Sequence, residues 1–125
     1  MNTKARNAYL GASVTTASPE RLLVMLCDRL VLDIQRGRDA QVAGNREEAN
    51  RQLLHAQDIL LELRSSLDVK AWKGATDLST LYGWMHSQLI TANTRNTVDA
   101  TESVLGLAQQ LAETWRTAAL QLERG

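Results

Sequence analysis

The sequence predicts an all-α protein: an antiparallel, up-down four-helix bundle over residues 18–125, preceded by a mobile N-terminal arm over residues 1–17. Three observations predict it. Hydrophobic residues make up 44% of the 125 positions, yet aromatics supply only 4% and Phe is absent. Leu, Ala and Val therefore dominate the mass that can be buried; Leu and Ala lose little in a helix, whereas strands draw on aromatic and β-branched residues. Apolar residues then recur at alternating spacings of four and three in four separate segments, each bounded by a polar or glycine-containing break. Finally, a chain of this length makes one domain, which buries roughly two-thirds of the surface its unfolded chain exposes.

The arm, Met1 to Ala17, is rich in Asn, Thr, Ala and Ser, with Tyr9, Leu10 and Val14 as its apolar anchors. Ser18-Pro19-Glu20 reads as a helix start: the Ser18 hydroxyl caps a free backbone N–H, and Pro19 takes the first helical position, where its missing N–H costs nothing. From there Leu23, Leu26, Cys27, Leu30, Ile34 and Gly37 share one face, and the helix should run to about Ala43, stopped by Gly44. Asn45 with Glu48 forms a capping-box-like start for the second helix. Its Ala49, Leu53, Ala56, Leu60, Leu63 and Leu67 make a seam of the kind used in bundles.

Asp68 to Thr76 lacks periodicity and reads as the long turn. A third helix follows with Leu78, Tyr82, Met85, Leu89 and Ala92 on its seam. After the polar Asn93 to Thr97, a fourth places Thr101, Val104, Ala108, Leu111, Trp115, Ala118 and Leu122 on one face. Short connections make successive helices antiparallel neighbours.

Several functions lose their basis in this sequence. Fourteen Lys and Arg balance fourteen Asp and Glu, so the basic stripe that nucleic acid requires is missing. The longest apolar run, Leu22 to Cys27, is far short of a bilayer span, and the start of the chain lacks a signal-like segment; a cytoplasmic location is expected. The single cysteine, Cys27, reads as a small packed hydrophobe. Ferritin-like metal sites place Glu-x-x-His pairs on facing helices, whereas here Gln52 and Gly83 stand three residues before His55 and His86. His55 raises a histidine phosphotransfer domain as an alternative, but the Lys and Gly that such domains place after their histidine are missing. Glu47-Glu48 is the favourable acidic first turn of a helix. Neither an enzymatic activity nor a cofactor is expected.

The helices are more apolar than one core face needs. Met25 and Leu32, seven residues apart on helix 1, lie nearly opposite its main face, with Val24 and Val31 on one flank. Leu54 and Leu61 repeat the spacing on helix 2, and Leu81, Trp84 and Ile90 lie outside the seam of helix 3. Elongated apolar grooves on a bundle are what an amphipathic partner helix docks into, and a homodimer would use the same surface. Trp115 reads as core, Trp72 as packing over a bundle end, and Trp84 as an anchor for a partner. Gly83, inside helix 3, costs about 1 kcal/mol relative to Ala and reads as admitting a close neighbour.

An ordered series of residues begins with Tyr9 in a polar arm, then Thr16-Ala17-Ser18-Pro19-Glu20-Arg21-Leu22 and Met25-Leu26-Cys27-Asp28. Ala56-Gln57-Asp58-Ile59-Leu60 and Glu62-Leu63-Arg64-Ser65-Ser66-Leu67-Asp68 follow on the second helix, then Leu81-Tyr82, Met85, Ala92-Asn93 and a last helix finishing with Trp115. In this order the series resembles the FliS family of bacterial flagellin export chaperones. Cys27 stands where the family commonly has Tyr, Gly83-Trp84 where it tends to have an acidic residue and an aromatic, and Gly74 where a glycine pair is common.

The resemblance implies a cytosolic chaperone that binds the disordered C-terminal segment of flagellin, keeps it from polymerising early and delivers it to the flagellar type III export gate. It also implies that the segment folds as helices around the bundle while the arm shifts. Burial of about 1,000–3,000 Å² would offset the partner's ordering entropy. The expected contacts are Tyr9, Met25, Leu32, Leu54, Leu61, Leu81 and Trp84, with Cys27 and Asp28 added from the family motif alone. The competing expectation is a structural bundle that associates with itself through these stripes.

Overall fold

The computed structural model describes residues 18–124. The arm expected over residues 1–17, with Tyr9 in it, lies outside them. Four helices follow one another: α1 (Pro19–Val42), α2 (Arg46–Ser65), α3 (Ala75–Thr94) and α4 (Val98–Arg124). Helix α1 packs between α2 and α4, and α3 closes the ring against the same two. The chain runs up and down: Arg21 reaches Glu123 at one end of the α1–α4 pair, and Gln41 reaches Thr101 at the other. The α2–α3 pair is antiparallel in the same way, from Arg64–Ser79 to Asn50–Asn93.

Local chemistry sets the helix limits. The Ser18 hydroxyl accepts a hydrogen bond from the Arg21 N–H at 3.2 Å, and Pro19 opens α1. Gly44 sits at φ +78°, a left-handed conformation that glycine adopts without strain, and lets the chain reverse into α2. Asn45 Oδ1 caps the Glu48 N–H at 3.1 Å. The turn into α3 ends at Ala75, near the expected limit, and there the N-cap Gly74 offers no side-chain cap. Asn96, at φ +53°, turns α3 into α4; Asn is among the few side chains that visit this region readily.

The expected seams form the core. Leu30, Ile34, Leu53, Leu60, Met85, Leu89 and Val104 are fully enclosed, and Cys27, Ala56 and Ala108 fill the narrower gaps. The core is wider than the seams. Ile59, Leu105 and Ala112 join it from helix flanks, because each helix touches two neighbours and not one. At the other extreme, Leu122 is 62% exposed although it stands at a seam spacing. At 1.5 Å per residue, the 27 residues of α4 run roughly 10 Å past the 20 residues of α3, so among the described residues its last turns face α1.

One buried polar network ties three helices together. Gln41 Nε2 donates to the Ala92 carbonyl at 3.1 Å, and the Thr101 hydroxyl donates to Gln41 Oε1 at 2.7 Å. With both ends of the amide satisfied, burial of Gln41 and Thr101 is offset and α1, α3 and α4 share one register.

Candidate docking surface

Leu54 and Leu61 border the groove between α2 and α3. At about 100° per residue they share a flank of α2 with Asn50 and Arg64, and both of those reach α3. Asn93 Nδ2 donates to Asn50 Oδ1 at 2.7 Å, and Arg64 Nε donates to Ser79 Oγ at 3.3 Å. These two contacts fix a register in which Leu54 stands level with Leu89, next to the exposed Ile90, and Leu61 level with Tyr82, next to Gly83. Leu54, Leu61 and Ile90 are 45%, 40% and 41% exposed. The absent side chain at Gly83 matters here, because a Cβ would come within 2.9 Å of Arg64 Nη1 and 3.0 Å of its Cζ. The guanidinium therefore rests against the α3 backbone, the close approach read from the glycine.

The remaining expected residues fall elsewhere. Met25 and Leu32 are half-buried on the outer side of α1. The α4 side of α1 is occupied by Asp28, paired with Arg116 at 2.5 Å, and by Val24, which shares a cavity with Ala119 and Leu120. Leu81 and Trp84 occupy the flank of α3 away from α2. Leu81 is half-buried against the core, while Trp84 is 45% exposed. The six described residues therefore form three pairs on three successive helices, α1, α2 and α3.

Cys27 and Asp28, adjacent in sequence, have opposite environments. Cys27 is fully enclosed, and burial pushes its thiol up to about 12, with the Asp28 carboxylate adding to the shift and Arg116 opposing it. Its side chain can influence the surface only through packing. Asp28 is exposed but engaged by Arg116. His55, considered above as a phosphotransfer residue, is an exposed α2 side chain whose charge bears on Asp33 of α1. Asp33 is fully buried. Burial raises its pKa above the ordinary carboxylate range, against the opposing pull of Arg29, His55 and Arg36. Arg29 Nε forms an i,i+4 ion pair with Asp33 Oδ1 at 3.0 Å.

Three features escaped sequence reasoning. A cavity of about 270 Å³ opens where α1 begins and α2 ends, lined by Pro19, Leu22, Leu23, Leu26, Glu62 and Ser66. The protruding end of α4 exposes Leu120. Trp72 is 48% exposed and folds back over its own turn, with its ring so close to Gly74 that a Cβ there would meet it at 2.2 Å. The exposed end of α4 depends on relative helix lengths, which periodicity does not measure; for the cavity, the doublet Leu22-Leu23 was the one available signal.

Among the described residues, no group of three or more His, Cys, Asp or Glu side chains could hold a metal ion, and no helix is long and apolar enough to cross a membrane. What the fold offers is surface. A complete helical core with large apolar side chains left over on its surface defines an all-α four-helix bundle. Comparison with known proteins is specific about which one. The family model described as "Flagellar protein FliS" matches residues 1–122, and the chain belongs to this family of flagellar secretion chaperones, not to an enzyme family. It is 36% identical over 107 residues to the flagellar secretion chaperone FliS of Salmonella typhimurium (strain LT2), covering 84% of this chain and 79% of that protein. The Bacillus subtilis (strain 168) chaperone of the same name is 30% identical over 117 residues, 94% of this chain and 86% of the other. That of Escherichia coli (strain K12) is 32% identical over 111 residues, covering 87% and 82%.

Proposed function

We propose that this protein is a cytoplasmic export chaperone that binds the disordered C-terminal segment of flagellin. It thereby prevents premature polymerisation and supports delivery to the flagellar type III export apparatus. The observation that supports this most strongly is the distribution of the apolar pairs. Met25 with Leu32, Leu54 with Leu61 and Leu81 with Trp84 lie on three successive helices, and a segment that folds as helices around the bundle would meet them in turn.

Binding alone performs this function. A disordered segment held as helices against the bundle has its own assembly surface occupied, and its ordering entropy is offset by apolar burial. No nucleotide is needed for release; competition at the export gate suffices. Zero net charge suits a partner held mainly by apolar contact. The test is a binding titration with the C-terminal peptide of flagellin from the same organism. Saturable binding with gain of helix supports the reading, and its absence overturns it.

A further inference from the structure

We propose that Arg64 is the ionic anchor of the α2–α3 groove, accepting a carboxylate from an amphipathic helical segment of the partner whose apolar side chains lie against Leu54, Leu61 and Ile90. The inference rests on the chaperone reading above and names the chemistry that one groove recognises.

Charge supplies the first reason. Arg21, Arg29, Arg38, Arg51 and Arg116 each lie beside an Asp or Glu of this chain. Among the described residues, Arg64 has Ser79 as its one polar contact, and that contact uses Nε alone. The donors on Nη1 and Nη2 stay available for the two oxygens of a carboxylate, the pairing that a guanidinium makes best.

Position supplies the second. The space at Gly83 is taken by the guanidinium itself, and Ser79 holds it from the preceding turn of the same helix. A long side chain that would otherwise sample many rotamers is thus kept at the groove, which reduces the entropy lost on binding. Length supplies the third. From Leu54 to Arg64 is ten residues of α2, about 15 Å at 1.5 Å per residue. That matches nearly three turns of an incoming helix, with apolar contacts at i, i+3 or i+4, and i+7, and the acid at one end.

The test uses the full chain and the flagellin C-terminal peptide of the same organism, titrated at about 50 and about 300 mM salt. The unaltered chain is expected to bind more weakly at the higher salt. Arg64→Gln is expected to lower affinity about tenfold at low salt and to flatten that salt dependence. Arg64→Lys should retain part of the affinity, as a point charge without the bidentate fork. Gly83→Ala, which displaces the guanidinium while keeping its charge, should weaken binding by a smaller factor. Replacing the peptide's acidic residues with their amides, one at a time, should identify one whose loss is silent in the Arg64→Gln background. Equal affinity and equal salt dependence in Arg64→Gln overturn the Arg64 assignment alone. If the unaltered chain does not bind the peptide, the functional reading and this proposal both fail. If instead the free chain self-associates and Arg64→Gln disperses it, the occupant is a second copy and the proposal is wrong.

Discussion

Replacing Leu54 and Leu61 together by Gln tests the α2–α3 groove with little change to the bundle. Gln has nearly the helix propensity of Leu, so α2 should keep its form. Full burial of a Leu side chain is worth about 1.5–3 kcal/mol. Leu54 and Leu61 are 45% and 40% exposed, so a partner can bury at most that remaining share. The pair together then contributes about 1.3–2.6 kcal/mol to binding, or roughly tenfold to eightyfold in affinity. Calorimetric titration with the flagellin C-terminal peptide reads this directly, with Val42→Gln, at the far end of α1 and 71% exposed, as the control that leaves affinity unchanged. Circular dichroism and thermal melting establish that the double variant is folded. A folded double variant that binds as tightly as the unaltered chain refutes the assignment of this groove.

Four further predictions concern packing and burial. Gly83→Ala should stabilise the fold by up to about 1 kcal/mol, because the new methyl displaces only the exposed end of Arg64. Gly37→Ala should destabilise it, because the methyl would lie 2.6 Å from Cδ2 of the fully buried Leu53 and overpacking costs about 1–3 kcal/mol; equal melting shifts in the two variants contradict this. Cys27, its thiol pushed up to about 12 by burial, should resist a thiol reagent at pH 8 in the folded chain and react fully in denaturant; rapid labelling of the native state contradicts its placement in the core. Asp33 has a folded pKa raised above its unfolded value near 3.8, so the native state holds that proton in a window where the unfolded state has lost it. The group's stabilising contribution is complete below pH 3.8 and is lost as pH rises through the folded value. Asp33→Asn should therefore gain in melting temperature relative to the unaltered chain as pH rises through that window, and a growing deficit would mean that the pairing with Arg29 outweighs burial.

Periodicity made the bundle legible. The four seams, the Ser18 and Asn45 caps and the stop at Gly44 all follow from spacing and residue type, and each of these depends on local geometry within one helix. Family resemblance was legible as well, because its motifs lie in order along nearly the whole chain. The arrangement of the apolar surface was less so. Angles around one helix mark Leu54 and Leu61 as surplus, but only packing between helices brings Ile90 near the level of Leu54 and seats Arg64 on Gly83. The same limit explains Leu122, which has a seam spacing and, among the described residues, no third helix beside it, and the cavity at the start of α1. It also separates Cys27 from Asp28: one step along the chain rotates a side chain by about 100°, from a closed core to an ion pair with α4.

The central claim is that this bundle orders a disordered flagellin segment on its surface. Titrating the full chain with the C-terminal peptide of flagellin from the same organism, by calorimetry at several temperatures with circular dichroism in parallel, tests it most directly. The expected result is saturable one-to-one binding, a negative heat-capacity change from apolar burial, and helical signal beyond the sum of the separate components. Absence of binding heat at every temperature, with spectra that simply add, would contradict it.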